Sequence, residues 1–472
     1  MMRDPISNNE LQVLFDAQRA AHLAMPFPEW PERARHLLAL RALLKDNLDA
    51  IATAINTDFG NRSRQETLVL EAFGNLNSIR DALAHGRRWM RPQRRSVGLW
   101  LRPASARVLP QPVGVVGIVA PWNYPLFLAI GPLVGALAAG NRVMLKMSEY
   151  APGFAALFQQ LIARHFDPDH VTVVCGGPET AQAFTALPFD HLLFTGSTQV
   201  GRQVMHAAST NLTPVTLELG GKSPVLIAPG ARFEAAVESI VAGKLLNAGQ
   251  TCVAPDYVLV ERGRESEFIA IARRVTARLY PDIGRNPDYT TLINTRHFER
   301  LSTLASEAEA AGAQLHPLSD AASNPASRCF PPICVTDAPA TTGVMQEELF
   351  GPILPIVPYD TLEQAIAYIN ARPRPLALYL FETRRAVINT VMQRTIAGGV
   401  TINDTLLHLG SDDLPFGGIG ASGMGAYHGR DGFNTFSMMK PIFEQARFNG
   451  RKLMFPPYGK TFDRMIRLML GR

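Results

Sequence analysis

The chain has few cysteines for its length. Only 4 occur among 472 residues, at positions 175, 252, 329 and 334, and no two of them form a C-x-x-C pair. This spacing argues against a zinc knuckle, a thioredoxin-like redox motif and a disulfide framework of the secreted kind. The 11 histidines contain no H-E-x-x-H spacing, so we expect no metal site.

Long apolar runs and a strong net charge are also lacking. The longest apolar run, residues 126–140, has 15 residues and contains a proline, whereas a membrane span needs about 20. The 46 Lys and Arg against 41 Asp and Glu leave a net charge of +5, so we expect neither nucleic acid nor a membrane as a partner. No charged-then-apolar leader opens the chain, and we expect a cytoplasmic protein.

Hydrophobic periodicity divides the chain into helical and strand-forming segments. The first ninety residues show helical spacing, and Ser7-x-x-Glu10 and Ser63-x-x-Glu66 predict capping boxes. Short apolar strands, with helical stretches between them, are predicted at 113–121, 143–147, 171–176, 191–196, 225–227 and 257–260. This alternation predicts an α/β fold, with a Rossmann-like doubly wound parallel sheet and a second α/β domain.

Three segments carry residues that suggest acyl chemistry. LNAGQTCVAP places Cys252 behind a Gly-Gln-Thr turn, LELGGKSP ends an apolar strand with Glu218, and PWNYP holds Asn123 between two prolines. A thiol can act as a nucleophile, a buried carboxylate as a general base, and a fixed amide as an oxyanion donor. Taken singly, each is better explained as a packed or hydrogen-bonded core residue.

Two further segments suggest a nucleotide site. FTGSTQVG places Gly196 and Gly201 between a buried strand and a helix, where backbone N–H groups can bind a phosphate. In LKMSE, Lys146 and Glu149 follow another strand, at the edge where open α/β sheets bind nucleotides. An ordinary tight turn and a surface ion pair explain these patterns equally well when each is taken alone.

Together, these residues at these spacings resemble the aldehyde dehydrogenase superfamily. The resemblance covers nearly the whole chain through PWNYP, K-x-S-E, FTGST-x-VG, LELGGKSP, N-x-GQ-x-C, EELFGP and LPFGG-x-G-x-SG, in that order. The tail GMGAYHGRDGFNTFS and the later RKLMFPPY are similar to the class 3 branch, and within it to bacterial coniferyl aldehyde dehydrogenases. Met147 replaces the family's usual proline in K-P-x-E and leaves both expected ribose contacts in place.

The resemblance implies a role for each matching residue. Cys252 would be the nucleophile, Glu218 the general base, and Asn123 an oxyanion donor together with the backbone N–H of Cys252. The implied cofactor is NAD, and relatives in class 3 often accept NADP as well. The implied cofactor-binding residues are Lys146 and Glu149 at the adenosine ribose, Gly196 and Ser197 at the pyrophosphate with Gly201 in the same turn, and Glu348 and Phe350 at the nicotinamide end.

The resemblance also implies a domain organisation and a homodimer. It implies an NAD-binding domain at 1–90 and 108–218, a catalytic domain at 219–425, a bridging and oligomerisation element at 91–107 and 426–450, and a C-terminal tail at 451–472. The bridging element would pair with its copy across a twofold axis through a late strand near 434–440.

The substrate is expected to be an aromatic aldehyde such as coniferyl aldehyde, with medium- or long-chain fatty aldehydes as the alternative. A largely apolar entrance would be lined by Trp122, Tyr124, Leu406, Leu407 and Phe416. Three other classes of protein are alternatives. A retired enzyme kept as a binding protein is disfavoured because the candidate thiol, carboxylates and amide are all present. An acylating dehydrogenase that uses coenzyme A is disfavoured because the candidate base is present, and a cysteine protease because no histidine lies in a recognisable partner motif.

Overall fold

The computed structural model describes residues 6–471, and helices pack there against three β-sheets. The first capping box is confirmed, since Ser7 and Glu10 each bond the other's backbone N–H at the start of the first helix. The second is half wrong. Ser63 accepts from the Glu66 N–H at 3.4 Å, but the Glu66 carboxylate turns inward and accepts from the N–H of Asn247 at 3.1 Å.

Helices form where apolar residues recur every three or four positions. Helices lie between the predicted strands, for example at Thr198–Ser209 and Phe233–Leu245, and no helix within residues 6–471 is long and apolar enough to cross a membrane. A π-helical turn, Thr67–Phe73, joins the fourth helix to the fifth. The α-helices are α1 (Asn8–Ala24), α2 (Trp30–Asp46), α3 (Leu48–Phe59), α4 (Arg64–Glu66), α5 (Gly74–Trp89), α6 (Phe127–Ala139), α7 (Pro152–His165), α8 (Pro178–Thr185), α9 (Thr198–Ser209), α10 (Phe233–Leu245), α11 (Glu265–Leu279), α12 (Thr295–Ala310), α13 (Gly343–Gln346), α14 (Leu362–Asn370), α15 (Arg385–Arg394), α16 (Gly429–Thr435) and α17 (Lys460–Met469).

All six strands predicted from short apolar runs are present, as β3, β4, β5, β6, β8 and β9 of the following series. The strands are β1 (Gln93–Arg95), β2 (Ser105–Pro112), β3 (Val115–Val119), β4 (Arg142–Lys146), β5 (Val171–Val174), β6 (His191–Thr195), β7 (Val215–Glu218), β8 (Pro224–Ile227), β9 (Tyr257–Glu261), β10 (Gln314–Pro317), β11 (Ile333–Thr336), β12 (Ile353–Tyr359), β13 (Ala377–Phe381), β14 (Gly399–Ile402), β15 (Gly423–Met424) and β16 (Ser437–Glu444).

The first large sheet has six strands in the order β15-β7-β6-β3-β4-β5, and all but β15 are parallel. Chain order runs outward from β3 in both directions, so ligands are expected in the crevice outside the carboxyl ends of β3 and β6. Lys146 ends β4, Glu218 ends β7, and Asn123 follows β3 closely. Three of the predicted site residues therefore share one edge of this sheet.

The second large sheet has seven strands in the order β10-β11-β12-β9-β8-β13-β14 and is parallel except for β10. Chain order runs outward from β8 through β13 and β14 on one side, whereas on the other side β9 is followed by β12, β11 and β10. Two separate, mostly parallel sheets with intervening helices are the predicted α/β fold. Helix α10, between β8 and β9, leads directly into the loop that carries Cys252.

The third sheet is small and antiparallel, with the order β1-β2-β16. Strands β2 and β16 pair along their whole length, from Ser105 opposite Glu444 to Pro112 opposite Ser437. The late strand expected near 434–440 starts only at Ser437, because the preceding residues form α16. Strand β16 pairs on one side with β2 of its own chain.

Candidate active site

The loop that carries Cys252 has an unusual backbone. After α10, three consecutive residues have positive φ, with Asn247 and Ala248 at 51° and Gly249 at 76°. The left-handed conformation costs a residue with a Cβ roughly 1–2 kcal/mol, so other contacts must hold this segment. One of them is the hydrogen bond from the Asn247 N–H to the buried Glu66 carboxylate. Backbone strain of this kind is concentrated at functional sites.

The Cys252 thiol lies half-buried between two acidic side chains from distant parts of the sequence. Burial, together with the negative charges of Glu348 and Glu218, raises the pKa of this thiol to about 12. Its own N–H and that of Val253 oppose the shift by donating to the sulfur. At neutral pH the thiol of the protein alone is therefore protonated, and an added positive charge beside it would favour the thiolate.

Glu218, the last residue of β7, is buried at 2% exposure. Neither of its carboxylate oxygens has a hydrogen-bond partner within the part of the chain that the structure describes. Burial alone raises its pKa well above the ordinary value, because no neighbouring group opposes the shift. An unpaired buried carboxyl is costly for stability, and the charge of this one acts on the Cys252 thiol. Such a group is suited to accept a proton from a ligand or water.

Asn123 is held by its neighbours in the fold as well as by its flanking prolines. It is 3% exposed, and its side-chain Nδ2 donates to the carbonyl of Gln250 at 3.1 Å. Gln250 lies two residues before Cys252, so this bond ties the amide to the nucleophile loop. An asparagine amide has two N–H donors, and the bond to Gln250 uses one of them.

Lys146 and Glu149 lie together at the carboxyl end of β4. The Lys146 ammonium is 2% exposed, donates to the carbonyl of Met147 at 2.8 Å and lies 3.6 Å from the Glu149 carboxylate. Burial lowers its pKa, and the charge of Glu149 opposes that shift. The Glu149 side chain is 37% exposed. One buried donor beside one solvent-facing acceptor suits a pair of sugar hydroxyls.

The turn between β6 and α9 brings backbone N–H groups to the surface. Gly196 is half-buried, and Ser197 is exposed and caps α9 with its hydroxyl. A Cβ at Gly196 would come within 2.5 Å of the Phe194 ring, and one at Gly201 within 2.6 Å of Leu219. Glycine is therefore needed at both positions for close packing. The resulting open helix N-terminus fits a diphosphate.

Glu348 is half-buried, and its carboxylate lies against the loop that follows β7. Any Cβ at Gly220 would overlap its carboxylate, so the glycine permits this approach. Burial, followed by the charge of Asp256, raises the pKa of Glu348 to about 8, and its Oε1 has no partner among residues 6–471. Lys222 anchors the surrounding backbone, donating to Asp256 at 2.6 Å and to the carbonyl of Glu347 at 2.8 Å. A fixed backbone with one unused carboxylate oxygen fits a ribose hydroxyl.

The apolar residues predicted at the entrance lie in different environments. The rings of Trp122 and Phe350 are 5.4 Å apart, which joins the entrance to the cofactor side. Tyr124 is buried, and its hydroxyl bonds Thr251 within the nucleophile loop at 2.8 Å. Phe416 is buried, whereas Leu407 is 64% exposed. The roles of all four in substrate binding stay predictions.

Two further residues at the site were not singled out from the sequence. Tyr427 is 1% exposed, its hydroxyl has no partner in the described ranges, and burial and the charges of Glu218 and Cys252 raise its pKa well above the usual value. Its signal was the GAYHG segment, which carried only the branch resemblance. Arg62, which donates to the Asn123 carbonyl at 2.7 Å, lies in no recognisable motif.

The comparison with known families decides the identity. The aldehyde dehydrogenase family profile matches residues 7–442. The chain belongs to the aldehyde dehydrogenase family. This aldehyde dehydrogenase is 51% identical over 458 residues to a probable coniferyl aldehyde dehydrogenase of Pseudomonas aeruginosa, with 97% of this chain and 96% of that protein covered. The resemblance inferred from the seven motifs is confirmed.

Solved structures share the fold of this aldehyde dehydrogenase. The substrate-bound AldH of Staphylococcus aureus superposes with a TM-score of 0.92 at 37% identity, covering 97% of this chain and 99% of that chain. An aldehyde dehydrogenase of Mycobacterium tuberculosis complexed with NAD+ gives 0.84 at 29% identity, covering 94% and 91%. The predicted fold class is confirmed, and the protein is an NAD(P)-dependent oxidoreductase that acts on aldehydes.

Proposed function

We propose that this aldehyde dehydrogenase oxidises an aromatic aldehyde to its acid, with a phenylpropenal such as coniferyl aldehyde as the first choice. The name of the Pseudomonas aeruginosa relative supports the substrate. The packing of Trp122 against Phe350 supports a ring-shaped substrate near the cofactor side. NAD is the preferred cofactor and NADP is accepted less well, as the NAD+ complex of the Mycobacterium tuberculosis neighbour suggests.

The reaction begins at Cys252. Its sulfur adds to the aldehyde carbon, and the carbonyl oxygen becomes the oxyanion of a thiohemiacetal. The free N–H of the Asn123 amide and the backbone N–H of Cys252 donate to that oxyanion. Because the Asn123 amide is already tied to Gln250, the donor is oriented before the substrate arrives. Preorganised donors stabilise the charge that develops in the transition state without reorganising.

The cofactor would be held by residues that this structure has ready for it. Lys146 and Glu149 would bind the adenosine ribose, the turn at Gly196 and Ser197 the diphosphate, and Glu348 the second ribose, as its unpaired Oε1 suggests. Bound NAD supplies a positive ring charge, which favours the thiolate, and an acceptor for the hydride that leaves the thiohemiacetal carbon.

Glu218 acts as the base in the second half of the reaction, the hydrolysis of the thioester. It removes a proton from a water molecule whose oxygen attacks the thioester carbon, the C–S bond breaks, and the sulfur of Cys252 recovers a proton. The acid is released. The observation that carries the proposal is that Glu218 is buried, that its carboxylate has no hydrogen-bond partner within residues 6–471, and that its charge acts on the Cys252 thiol.

Glu218→Gln separates the two halves of the reaction. It keeps the shape and removes the base, so steady-state turnover should fall by roughly 10²–10⁴-fold. One rapid equivalent of NADH per active site should still appear on mixing, with the acyl group left on Cys252 as a mass increase of its peptide. Cys252→Ala is the control and should show neither burst nor adduct. Turnover of Glu218→Gln at the wild-type rate would remove Glu218 from the role of base.

A panel of aldehydes tests the substrate. Coniferyl aldehyde should give a higher kcat/KM than straight-chain aldehydes of similar length, because flat rings can stack at Trp122. Preference for long aliphatic aldehydes would contradict the aromatic assignment and favour a fatty aldehyde dehydrogenase. Transfer of the acyl group to coenzyme A instead of water would contradict the hydrolytic role of Glu218.

We also propose a homodimer whose interface includes the small sheet. The domain organisation given by the resemblance, with NAD-binding, catalytic, bridging and C-terminal parts, is likewise a proposal. The sheet and its flanking turn expose large apolar side chains, which mark interaction surfaces on soluble proteins. They are Leu99, Trp100, Leu101, Met438, Phe443 and Phe448. Burying them against a second copy would also cover the outer edge of β16. Light scattering at micromolar concentration should give twice the chain mass.

The four cysteines are all free thiols, which supports a reducing compartment such as the cytoplasm.

A further inference from the structure

A buried arginine lies behind the oxyanion site. The Arg62 side chain has 0% exposure, and its Nη2 lies 3.2 Å from the Glu71 carboxylate, which is equally buried. Its Nη1 donates to the main-chain carbonyl of Asn123 at 2.7 Å. The guanidinium also lies over the rings of Phe59 and Tyr124, 4.9 and 4.7 Å from their centroids. A planar, always charged guanidinium held on these sides has little freedom to move.

Glu71 anchors the same loop at a second point. Its Oε2 accepts from the N–H groups of Leu126 and Phe127 at 2.8 and 3.1 Å, where α6 begins without a side-chain cap of its own. Glu71 belongs to the π-helical turn Thr67–Phe73, and π-helical turns often occur at functional sites. The Arg62–Glu71 pair thus holds the loop at Asn123 and again at the start of α6.

Asn123 connects this pair to the nucleophile loop. Its carbonyl accepts a second hydrogen bond, from the Asn247 side chain at 3.0 Å, while its own amide donates to Gln250. Two donors on one carbonyl resist rotation of that peptide group. Because the peptide plane sets the direction of the Cα–Cβ bond, Arg62 controls where the Asn123 amide points.

We propose that Arg62, paired with Glu71, is a positioning residue that orients the Asn123 amide for the oxyanion. This inference rests on the proposed role of Asn123 as an oxyanion donor. Arg62 does not touch the reacting atoms; it acts through the main chain of Asn123. A shift of about 1 Å at a catalytic group can cost roughly 10²-fold in rate, so the effect of losing this contact is measurable.

A double-mutant cycle tests the inference. Arg62→Lys keeps the charge but cannot bond both Glu71 and the Asn123 carbonyl, so the rate constant of the NADH burst should fall by roughly 10–100-fold. NAD binding and alkylation of Cys252 should stay at wild-type values. In an Asn123→Ala background, Arg62→Lys should cause no further loss, because its route of action is already removed. Independent, multiplied losses would overturn the inference.

Arg33→Lys is the matched control. Arg33 is also buried at 2% exposure, and it donates to the carbonyls of Pro28 and Ala138 near the opposite end of α6, at 2.8 and 3.1 Å. It should leave the burst unchanged; an equal loss there would mean a general packing effect and would overturn the inference. If Arg62→Lys does not fold, Arg62→Gln replaces it, since Glu71 can offset the lost charge by taking up a proton. A silent Asn123→Ala would overturn the oxyanion assignment itself, and this inference with it.

Discussion

Glu71 and Glu218 are both buried glutamates, yet their surroundings differ. Around Glu71, burial raises the pKa, while the charge of Arg62 and the N–H groups of Phe127 and Leu126 oppose the shift. Around Glu218, burial raises the pKa and nothing opposes it. The first carboxylate accepts two main-chain hydrogen bonds at Oε2 and forms an ion pair with Arg62, and the second has no hydrogen-bond partner within the described chain.

This difference distinguishes a carboxylate with a structural role from one that can act as a base. An isolated buried cation is more costly than a buried ion pair, so Glu71 is the counter-ion of the Arg62 guanidinium. Glu218 has no such partner within the described chain, and burial raises its pKa well above the ordinary value. A carboxyl that can still change its protonation state and has free lone pairs is what a base requires. Pairing therefore distinguishes the two roles better than burial does.

The largest expected effect compares the two glutamates directly. Glu71→Gln keeps an acceptor for α6 but leaves Arg62 buried without a counter-charge, so it should destabilise the fold by about 3–5 kcal/mol. Glu218→Gln replaces a buried carboxyl that has no partner within the described chain by an uncharged amide of the same shape, so it should not destabilise the fold. Urea unfolding at pH 7, followed by fluorescence with circular dichroism as a second probe, measures both.

The pH dependence of stability tests the effect of burial on Glu218. The folded pKa of Glu218 lies above its unfolded value, so the folded state binds more protons and wild-type stability falls as pH rises above about 4.5. Glu218→Gln lacks this loss, and its stability relative to wild type should increase between pH 5 and pH 8. A constant difference across that range would mean that Glu218 titrates normally in the folded protein.

Much of the fold follows from local patterns in the sequence. Apolar runs such as VVGIV and HLLFT predicted β3 and β6, because parallel strands are buried on both faces and their sequences are apolar throughout. The error at Glu66 arose because a local capping pattern competes with a distant partner. Its carboxylate bonds the N–H of Asn247, a contact that no short-range pattern encodes.

Site residues can be predicted from the sequence where they lie in a recognisable motif. Residues that act through tertiary packing cannot be predicted in this way. Cys252, Glu218 and Asn123 were predicted as site residues because each lies in a segment typical of the family, and their roles stay predictions. Arg62 could not be found this way, since its partners Glu71 and Asn123 are separated from it along the chain and meet it only in the fold. Its local sequence, GNRSRQ, is polar, and surface arginines occur in segments of the same kind.

A smaller effect is expected at Glu348, whose surroundings are intermediate between those of Glu71 and Glu218. Burial raises its pKa, and a backbone N–H and nearby positive charges partly oppose that shift. Its pKa is raised to about 8, and its charge raises the pKa of Cys252. In the enzyme without cofactor, Glu348→Gln should therefore leave alkylation of Cys252 by iodoacetamide unchanged at pH 7, where Glu348 is mostly protonated. Above pH 8 alkylation should become faster than in wild type, because the repelling carboxylate is gone.

The labelled peptide identifies the site, and Cys252→Ala gives the background from the other three cysteines. Glu347→Gln is the matched control, because Glu347 is the exposed neighbour in the same loop and should leave the profile unaltered. An equal acceleration at pH 7 and pH 9 would show that the charge of Glu348 is not what the thiol senses.

The smallest effect is expected at Glu149, whose carboxylate is solvent-facing while Glu348 is half-buried. A carboxylate here can accept from ribose hydroxyls but repels a 2′-phosphate, and water and salt weaken that repulsion. Glu149→Gln should therefore narrow the preference for NAD over NADP by only about 2–10-fold, since exposed charge pairs contribute roughly 1 kcal/mol or less. The ratio of kcat/KM for the two cofactors measures it, and the narrowing should shrink at high ionic strength. A wild-type enzyme that already prefers NADP would rule out this role for Glu149. A salt-independent change would point to a lost hydrogen bond instead of a lost charge.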